Sequence, residues 1–448
     1  MKESRFLAET KKLHFVGIGG IGMSALAQYA LARGKKVSGS DLAAGEQTNK
    51  LARLGARIFI GHARNNARGA DAVIVTSAVD RDNPELQFAR DNGKPVLKRA
   101  EFLRCAESEH RFSVAVGGCH GKTTATAMLA HMLMCAKKSA TCMIGGEDSI
   151  YGNFTFGSDI FLTEACEYKR NFLCLSPDVA VVLNIDNDHL DCYKDINDLI
   201  AAYRAFAEKG VGVINADDEN ALRAAGRNTV SFGIKNPAMY GAEKLTKDAL
   251  GRYSFVLTEY GMKRRRVRLS AAGLHNVYNA LAAIAAARAA GLTAEEAARG
   301  AEDFTGVKRR QEVIGAVGGK KIVADYAHHP KEIAGALAEA KNPLVVFQPH
   351  TYSRTRLLME DFLAVLEKYP TVIYPTYAAR EKYDYEGSAY AVYAGLKERG
   401  AETAYAENAG RLFEKLEEKA GLYGEIYILG AGDLYDELTK RLKKYDKV

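Results

Sequence analysis

Short β-branched runs alternate with helical patterns over the first 105 residues. Leu13 to Ile18 forms an apolar strand pattern, followed by glycines and a helical stretch through Arg33. Residues 36–40 and 71–78 repeat the strand signal, and 84–92 the helical one. Strands spaced by helices predict a parallel sheet with right-handed crossovers. The pattern restarts at 112–118, where a strand again runs into a glycine-rich turn and a helix. Buried strands are expected at 159–165, 178–186 and 211–217. From about Tyr240 to Ser270 polar alternation replaces the buried runs, with Tyr260-Gly261 at a turn. That change predicts a small antiparallel excursion, followed by an Ala-rich helix opened by Gly273-Leu274-His275-Asn276. A third restart near Arg309 brings strands at 320–327, 343–349, 371–377 and 425–432, with helices at 354–368 and 407–419. The expected fold is α/β, in three successive units joined near residues 107 and 308.

Composition narrows the function classes. At 448 residues, three domains are the middle estimate. A chain 47% hydrophobic and 26% charged is neither disordered nor fibrous. No apolar run reaches membrane-spanning length. The nearest, 277–292, is interrupted by Asn279 and Arg288. The start, MKESRFLAETKK, lacks a signal-peptide apolar block, so no membrane association is expected. Seven cysteines without C-x-x-C spacing fit a reduced, cytoplasmic protein. Sixty-two Lys plus Arg against 55 Asp plus Glu leave +7. That excess suits an enzyme of small polyanions and is too small to argue for nucleic acid. The basic run Lys263 to Arg266 is read as a solvated strand edge.

Two glycine loops carry the chemistry. Gly17-Ile18-Gly19-Gly20-Ile21-Gly22 satisfies G-x-G-x-x-G between a strand and a helix. Gly17 permits a tight turn, Gly19 close approach of a diphosphate, and Gly22 close helix–strand packing. The helix N-terminus offers free N–H groups to the anion. Asp41 ends the next strand, placed to accept from a ribose hydroxyl. On this pattern alone NAD is the default reading, though it does not distinguish NAD from other diphosphate-bridged nucleotides. The second loop is Gly118-Cys119-His120-Gly121-Lys122-Thr123-Thr124. Val116 stands where a full Walker A has glycine, so the strict motif fails. Its chemical parts remain: backbone N–H groups for the β-phosphate, Lys122 for the β- and γ-phosphates, and Thr123 for Mg²⁺. Two nucleotide loops favour an ATP-using enzyme with a second nucleotide-like substrate. Glu164, at the end of its strand, and His189, in Asn184-Ile185-Asp186-Asn187-Asp188-His189, are candidate Mg²⁺ ligands, with Asp186, Asp188 and Asp191 as competitors. Lys308-Arg309-Arg310 suits a γ-phosphate. Asp325 to Pro330, Gln348 to Thr355 and Gly430 to Asp433 each follow a strand. The paired histidines lack helical i, i+4 spacing or a Cys partner, so zinc is not expected. A nicotinamide dehydrogenase would leave Gly121-Lys122-Thr123 idle, and a nucleotide sensor would bind ATP without turnover.

Taken together, HFVGIGGIGMSALA, GCHGKTT, NIDNDHLD, GLHNVYNALAA, FTGVKRRQE, DYAHHP and FQPHTYSRT resemble, in order, motifs of the Mur ligases. ILGAGD at 428–433 extends the likeness nearly to the end. The resemblance implies three domains: a Rossmann-like UDP-binding domain (1–107), a central P-loop ATPase-type domain (108–308), and a Rossmann-like amino-acid-binding domain (309–448). It implies that the first loop holds the UDP of UDP-N-acetylmuramate rather than NAD. It also implies ATP and Mg²⁺ as cofactors, and a reaction that joins L-alanine to the lactyl carboxylate in peptidoglycan precursor synthesis. FQPHTYSRT looks like an alanine-adding member rather than the recycling one that attaches a tripeptide. A monomer or weak homodimer is expected.

By motif, the resemblance places Gly118 to Thr124 on the phosphates, with Thr123, Glu164 and His189 holding metal. Asn276 would face adenine, Arg310 or Arg309 the γ-phosphate, and Asp325 the ATP ribose. Tyr326, His328 and Arg354 would form the alanine pocket. Gly17, Gly19, Gly20, Gly22, Asp41, His62 and Ser77 would line the UDP site, and His120 the muramyl end. Three departures stand out: Cys119 for the usual Thr, Glu164-Ala165-Cys166-Glu167-Tyr168 for the commoner acidic-and-Ser version, and Thr351 where some members have Arg.

Overall fold

The computed structural model describes residues 3–186, 192–338, 340–379 and 381–445. Two compact units divide the chain, Met1–Thr305 and Gly306–Val448. Among the described residues, the first holds two sheets and the second holds one.

The first sheet is wholly parallel, in the order Arg57–Ile60, Lys36–Asp41, Lys12–Val16, Ala72–Val75, Val96–Lys98. Lys12–Val16 is central, which explains its apolar run: Phe15 and Val16 are fully buried. All three expected strands and the helix Pro84–Asp91 form. The strand expected at 71–78 ends at Val75, because Thr76 and Ser77 leave the sheet for a turn. Arg57–Ile60 and Val96–Lys98 carried no strand signal. They are edge strands, short and only partly buried.

The second sheet has ten strands. Its parallel part runs through Thr229–Gly233, Val211–Asn215, Val179–Val182, Phe112–Gly117, Ile160–Glu164 and Ala140–Asp148. The expected antiparallel excursion is present as Tyr240–Lys247, Arg252–Glu259 and Met262–Ala272, continuous with the parallel part. A second antiparallel pair, Ala140–Asp148 with Gly152–Thr155, closes the other edge. That edge meets the first sheet's helices. Asn153, fully buried, accepts from Gln28 Nε2 at 3.1 Å and Lys50 Nζ at 2.9 Å, and Gln47 donates to Glu147 at 2.7 Å.

In the second unit the order is Glu312–Val317, Lys320–Asp325, Glu425–Leu429, Pro343–Phe347, Thr371–Ile373, Thr403–Tyr405. Only the first pair is antiparallel. The helix expected at 354–368 is broken at Leu358 into Tyr352–Leu357 and Met359–Leu366. Among the described residues, no helix is long and apolar enough to cross a membrane.

Candidate functional sites

The first glycine loop leaves its strand at Val16, and its helix begins at Ile21. Gly17 has φ +79°, and a Cβ there would lie 2.6 Å from Thr76 Cγ2, so the tight turn needs glycine. Gly19 N donates to Asp41 Oδ2 at 2.8 Å, and a Cβ on Gly19 would sit 2.9 Å from that oxygen. Asp41 thus fastens the loop, and its other oxygen accepts from Leu42 N at 2.8 Å. A carboxylate offers about four lone-pair sites, so capacity for a ribose hydroxyl remains. Gly22 serves differently from expectation. A Cβ there would meet only Arg99, at 3.5 Å, so no close helix–strand packing demands this glycine. Gly20 N–H points back to Gly17 O at 3.4 Å. His62 Nδ1 lies 3.1 Å from Ser40 Oγ, while Ser77 is exposed. Arg99 was absent from the sequence reading. It opens the helix Arg99–Glu107 and stands beside Gly22 at the start of the loop's helix.

The second loop follows Phe112–Gly117 and caps the helix Lys122–Cys135 with Gly121 at φ +83°. Gly118 has φ +142°, and a Cβ there would lie 2.9 Å from Leu183 Cβ. The side chain of Asn184 clasps the loop in both directions. His120 N donates to Asn184 Oδ1 at 2.8 Å, and Asn184 Nδ2 donates to His120 O at 3.0 Å. His120 also lies 3.5 Å from Asp186. Cys119 Sγ exchanges contacts with the Asp186 backbone at 3.2 and 3.4 Å, a local staple that needs no threonine. Lys122 Nζ donates to Gly118 O at 2.5 Å and to Glu167 Oε1 at 2.9 Å. Burial alone would depress this ammonium. The Glu167 carboxylate, itself 1% exposed, outweighs that and holds it above its ordinary range.

Thr123 is buried in the helix's first turn, and Thr124 beside it is half-buried. Glu164 pairs with Val116 across adjacent parallel strands, so it reaches the carboxyl end of the sheet beside the loop. Its Oε1 accepts from Gly145 N at 2.7 Å, and a Cβ on Gly145 would lie 2.5 Å from that oxygen. The Gly145-Gly146 pair was the available signal for that close approach. Thr123 and Glu164 are oxygen donors of the kind Mg²⁺ takes, and Mg²⁺ fills the rest of its shell with phosphate and water. No cluster of three or more His, Cys, Asp or Glu that could hold a metal occurs among the described residues. His189, Asp188 and Asp191 lie outside the described residues. Asn276 is buried, with Nδ2 on Ala272 O at 2.6 Å and Oδ1 accepting from Asn279 Nδ2 at 3.1 Å. Asn279 is what touches the loop: a Cβ on Gly121 would lie 2.7 Å from its Oδ1.

In the second unit, Arg309 is committed to the protein. Its Nη2 donates to Gly430 O at 3.2 Å and Gly432 O at 2.7 Å, and its guanidinium lies over Tyr326 and Tyr435 at 5.0 and 4.9 Å. Arg310 lies over Tyr326 at 5.2 Å and forms no such carbonyl bonds among the described residues. Asp325 ends its strand and accepts from Gln311 N at 3.0 Å and Ala327 N at 2.9 Å, pinning both turns. Burial raises its pKa. His328 packs edge-on against Tyr326 at 5.4 Å and His350 at 5.5 Å, and His350 stacks on Tyr377 at 5.5 Å. Burial, with the Arg354 cation adding to it, pushes both imidazoles down to about 4, so both are neutral near pH 7. Arg354 Nη1 is buried without a hydrogen-bond partner among the described residues, an opening for a carboxylate. Thr351, between His350 and Arg354, has φ +65°, strained for a β-branched residue. His350 and Tyr377 were not singled out as neighbours of His328; each lies in the loop that follows a parallel strand, Pro343–Phe347 and Thr371–Ile373, and that position was the signal.

Comparison with known proteins adds the family. Three family models match in order: Mur ligase family catalytic domain over 12–111, Mur ligase middle domain over 116–287, and Mur ligase glutamate ligase domain over 309–432. The UDP-N-acetylmuramate–L-alanine ligase of Acetivibrio thermocellus is 40% identical over 441 residues, covering 95% of this chain and 94% of that one. The ligase of the same name from Caldanaerobacter subterraneus subsp. tengcongensis is 38% identical over 98% of this chain and 99% of its own. The crystal structure of the UDP-N-acetylmuramate–alanine ligase of Thermotoga maritima superposes with a TM-score of 0.81 at 29% identity, covering 98% and 99% of the two chains. With all three of its sheets matched in order, the chain belongs to the Mur ligase family.

Proposed function

We propose that this enzyme is a UDP-N-acetylmuramate–L-alanine ligase, in three domains at 1–107, 108–308 and 309–448. The observation that carries the phosphoryl-transfer half is Lys122, held by Glu167 across a glycine loop that opens a helix. The full-length likeness to ligases of that name supports the choice of substrates.

The muramyl carboxylate is a poor electrophile, so it must first be activated. Its oxygen attacks the γ-phosphorus of ATP, the bond to the β-bridging oxygen breaks, and ADP leaves. The product is an acyl phosphate. The unprotonated amine of L-alanine then attacks the carbonyl carbon. As the amide forms, the nitrogen gives up a proton and inorganic phosphate departs. Two anions must meet in the first step, and charge neutralisation with positioning does most of the work. Lys122 would turn from Glu167 to the β- and γ-phosphates. Thr123 and Glu164 would hold Mg²⁺, which when bound neutralises phosphate charge. Of the two candidate arginines, Arg310 is the one left for the γ-phosphate, since Arg309 is occupied by Gly430 and Gly432. Arg354 would pair the alanine carboxylate, with His328 and Tyr326 beside it. The first loop, Asp41 and His62 would hold the UDP group.

The test is phosphate release from ATP and Mg²⁺ with UDP-N-acetylmuramate, with and without L-alanine, reading product mass in the same tubes. Release that needs both substrates, with a gain of one alanine residue, is expected. Release with a tripeptide but not alanine would move the assignment to the recycling ligase.

A further inference from the structure

Behind the first glycine loop lies a buried carboxylate that the mechanism does not use. Glu85, on the helix Pro84–Asp91, and His14, on the central strand, have side chains with no exposure. Glu85 Oε1 accepts from Asn66 Nδ2 at 2.7 Å and Ala63 N at 3.3 Å. Its Oε2 accepts from Ser40 Oγ at 2.5 Å and faces His14 Nε2 at 3.3 Å and His62 Nδ1 at 3.5 Å. Burial alone would raise this acid. The bonds from His14, Ser40 and Asn66 outweigh it and bring the acid down to about 2, so it is an acceptor only at neutral pH.

Donor accounting then fixes the ring. Ser40 has one hydroxyl proton, and Glu85 takes it. The Ser40 oxygen, 3.1 Å from His62 Nδ1, can therefore only accept there, so the proton sits on His62 Nδ1. In its neutral form the imidazole carries that one ring proton only, which leaves Nε2 with a lone pair. No described residue bonds to that Nε2, and the His62 side chain is 15% exposed. The same residue, Ser40, accepts through its carbonyl from Gly17 N at 2.8 Å and Ile18 N at 3.0 Å, so this linkage is built into the glycine loop itself.

We infer that Glu85, acting through Ser40, is a positioning residue that locks His62 in its Nδ1–H tautomer, so that Nε2 accepts a hydrogen bond from a donor on the bound nucleoside. This rests on the reading of the first loop as a uridine-diphosphate site. The donor is either the uracil imide N–H or a ribose hydroxyl, since both present a proton to a lone pair. A base with a bare ring nitrogen at the imide position would place two acceptors face to face.

The test combines a spectrum with a binding series on the full-length chain. Long-range ¹H–¹⁵N spectra of the free enzyme should place the His62 proton on Nδ1 in the wild type. Ser40→Ala, a small change that spares Glu85, should lose that preference. Binding of UDP, 3-methyl-UDP and 2′-deoxy-UDP is then compared. One analogue should bind roughly tenfold more weakly than UDP to the wild type and lose that deficit in His62→Ala. In turnover, Ser40→Ala and Glu85→Gln should raise KM for the UDP-sugar while KM for ATP and kcat stay within about twofold; a fold defect would move all three. A wild-type His62 protonated at Nε2, or two analogues that bind like UDP, would overturn the inference alone. Failure of UDP itself to bind would overturn it together with the substrate reading.

Discussion

Between Val16 and Ile21 the chain turns from a parallel strand into a helix, and between Gly117 and Lys122 it does so again. Both turns use left-handed glycines, Gly17 in one and Gly118 and Gly121 in the other. What fastens them differs. In the first, a carboxylate, Asp41, takes a backbone N–H of the loop, and the loop contains no cation. In the second, a neutral carboxamide, Asn184, clasps the loop, and the carboxylate, Glu167, is spent on the loop's own lysine. An anion on the first loop meets fixed dipoles, with Arg99 at the helix start. An anion on the second meets a cation that can follow charge as it moves. The first arrangement suits a diphosphate that stays intact, the second a phosphoryl group that leaves.

The sharpest way to break that contrast is Lys122→Ala. Ligation should fall by at least about 10³-fold, while UDP-N-acetylmuramate binding, read by calorimetry, stays unchanged. Wild-type-like turnover would end the phosphate assignment. Asn184→Ala comes next. It removes two hydrogen bonds to His120 and should raise KM for ATP by roughly tenfold, with KM for the UDP-sugar unmoved. Gly19→Ala is its counterpart. A Cβ at 2.9 Å from Asp41 Oδ2 pushes that carboxylate off the Gly19 N–H. A charged hydrogen bond is worth about 1.5–3 kcal/mol, part of which relaxation recovers, so a fall of about tenfold in UDP-sugar affinity is expected with ATP binding intact. If either substitution moved both constants equally, the two loops would not be separate devices.

Much of the fold, and the position of the candidate site residues, was legible in the chain because those candidates sit where strands end. Lys12–Val16, Phe112–Gly117 and Ile160–Glu164 are central and buried, so their apolar runs announced them and pointed to Gly17, Gly118 and Glu164. What stayed hidden depends on packing between distant segments. Glu167 reads as one acid in a polar stretch until the fold buries it against Lys122, 45 residues away. His14 and Glu85, 71 residues apart, give no sequence sign of a shared buried contact. Gly22 satisfied the motif, but the expected reason for it was packing, and the neighbour found is a guanidinium. Arg309 and Arg310 are adjacent and identical in type; the carbonyls of Gly430 and Gly432 and the ring of Tyr435, all met by Arg309, tell them apart.

The smallest predicted effect concerns acid. His328 and His350 are pushed down to about 4 from an ordinary 6.5, chiefly by burial. The unfolded chain therefore binds protons between pH 6.5 and about 4 that the folded chain does not. Stability should fall as pH falls through that window. Glu85 acts in a lower one. Its pKa is depressed to about 2 from 4.5, so its contribution is full above 4.5 and is lost as pH falls toward 2. The acid sensitivity of the second unit should thus begin about two pH units before that of the Glu85 network. Thermal midpoints measured from pH 7.5 to 4.5 should decline in the wild type and decline less in His350→Gln. In Glu85→Gln, the slope over that range should match the wild type, though the midpoints lie lower throughout. An unchanged slope in His350→Gln would place the proton uptake elsewhere and remove the neutral imidazoles from the account of the proposed Arg354 site.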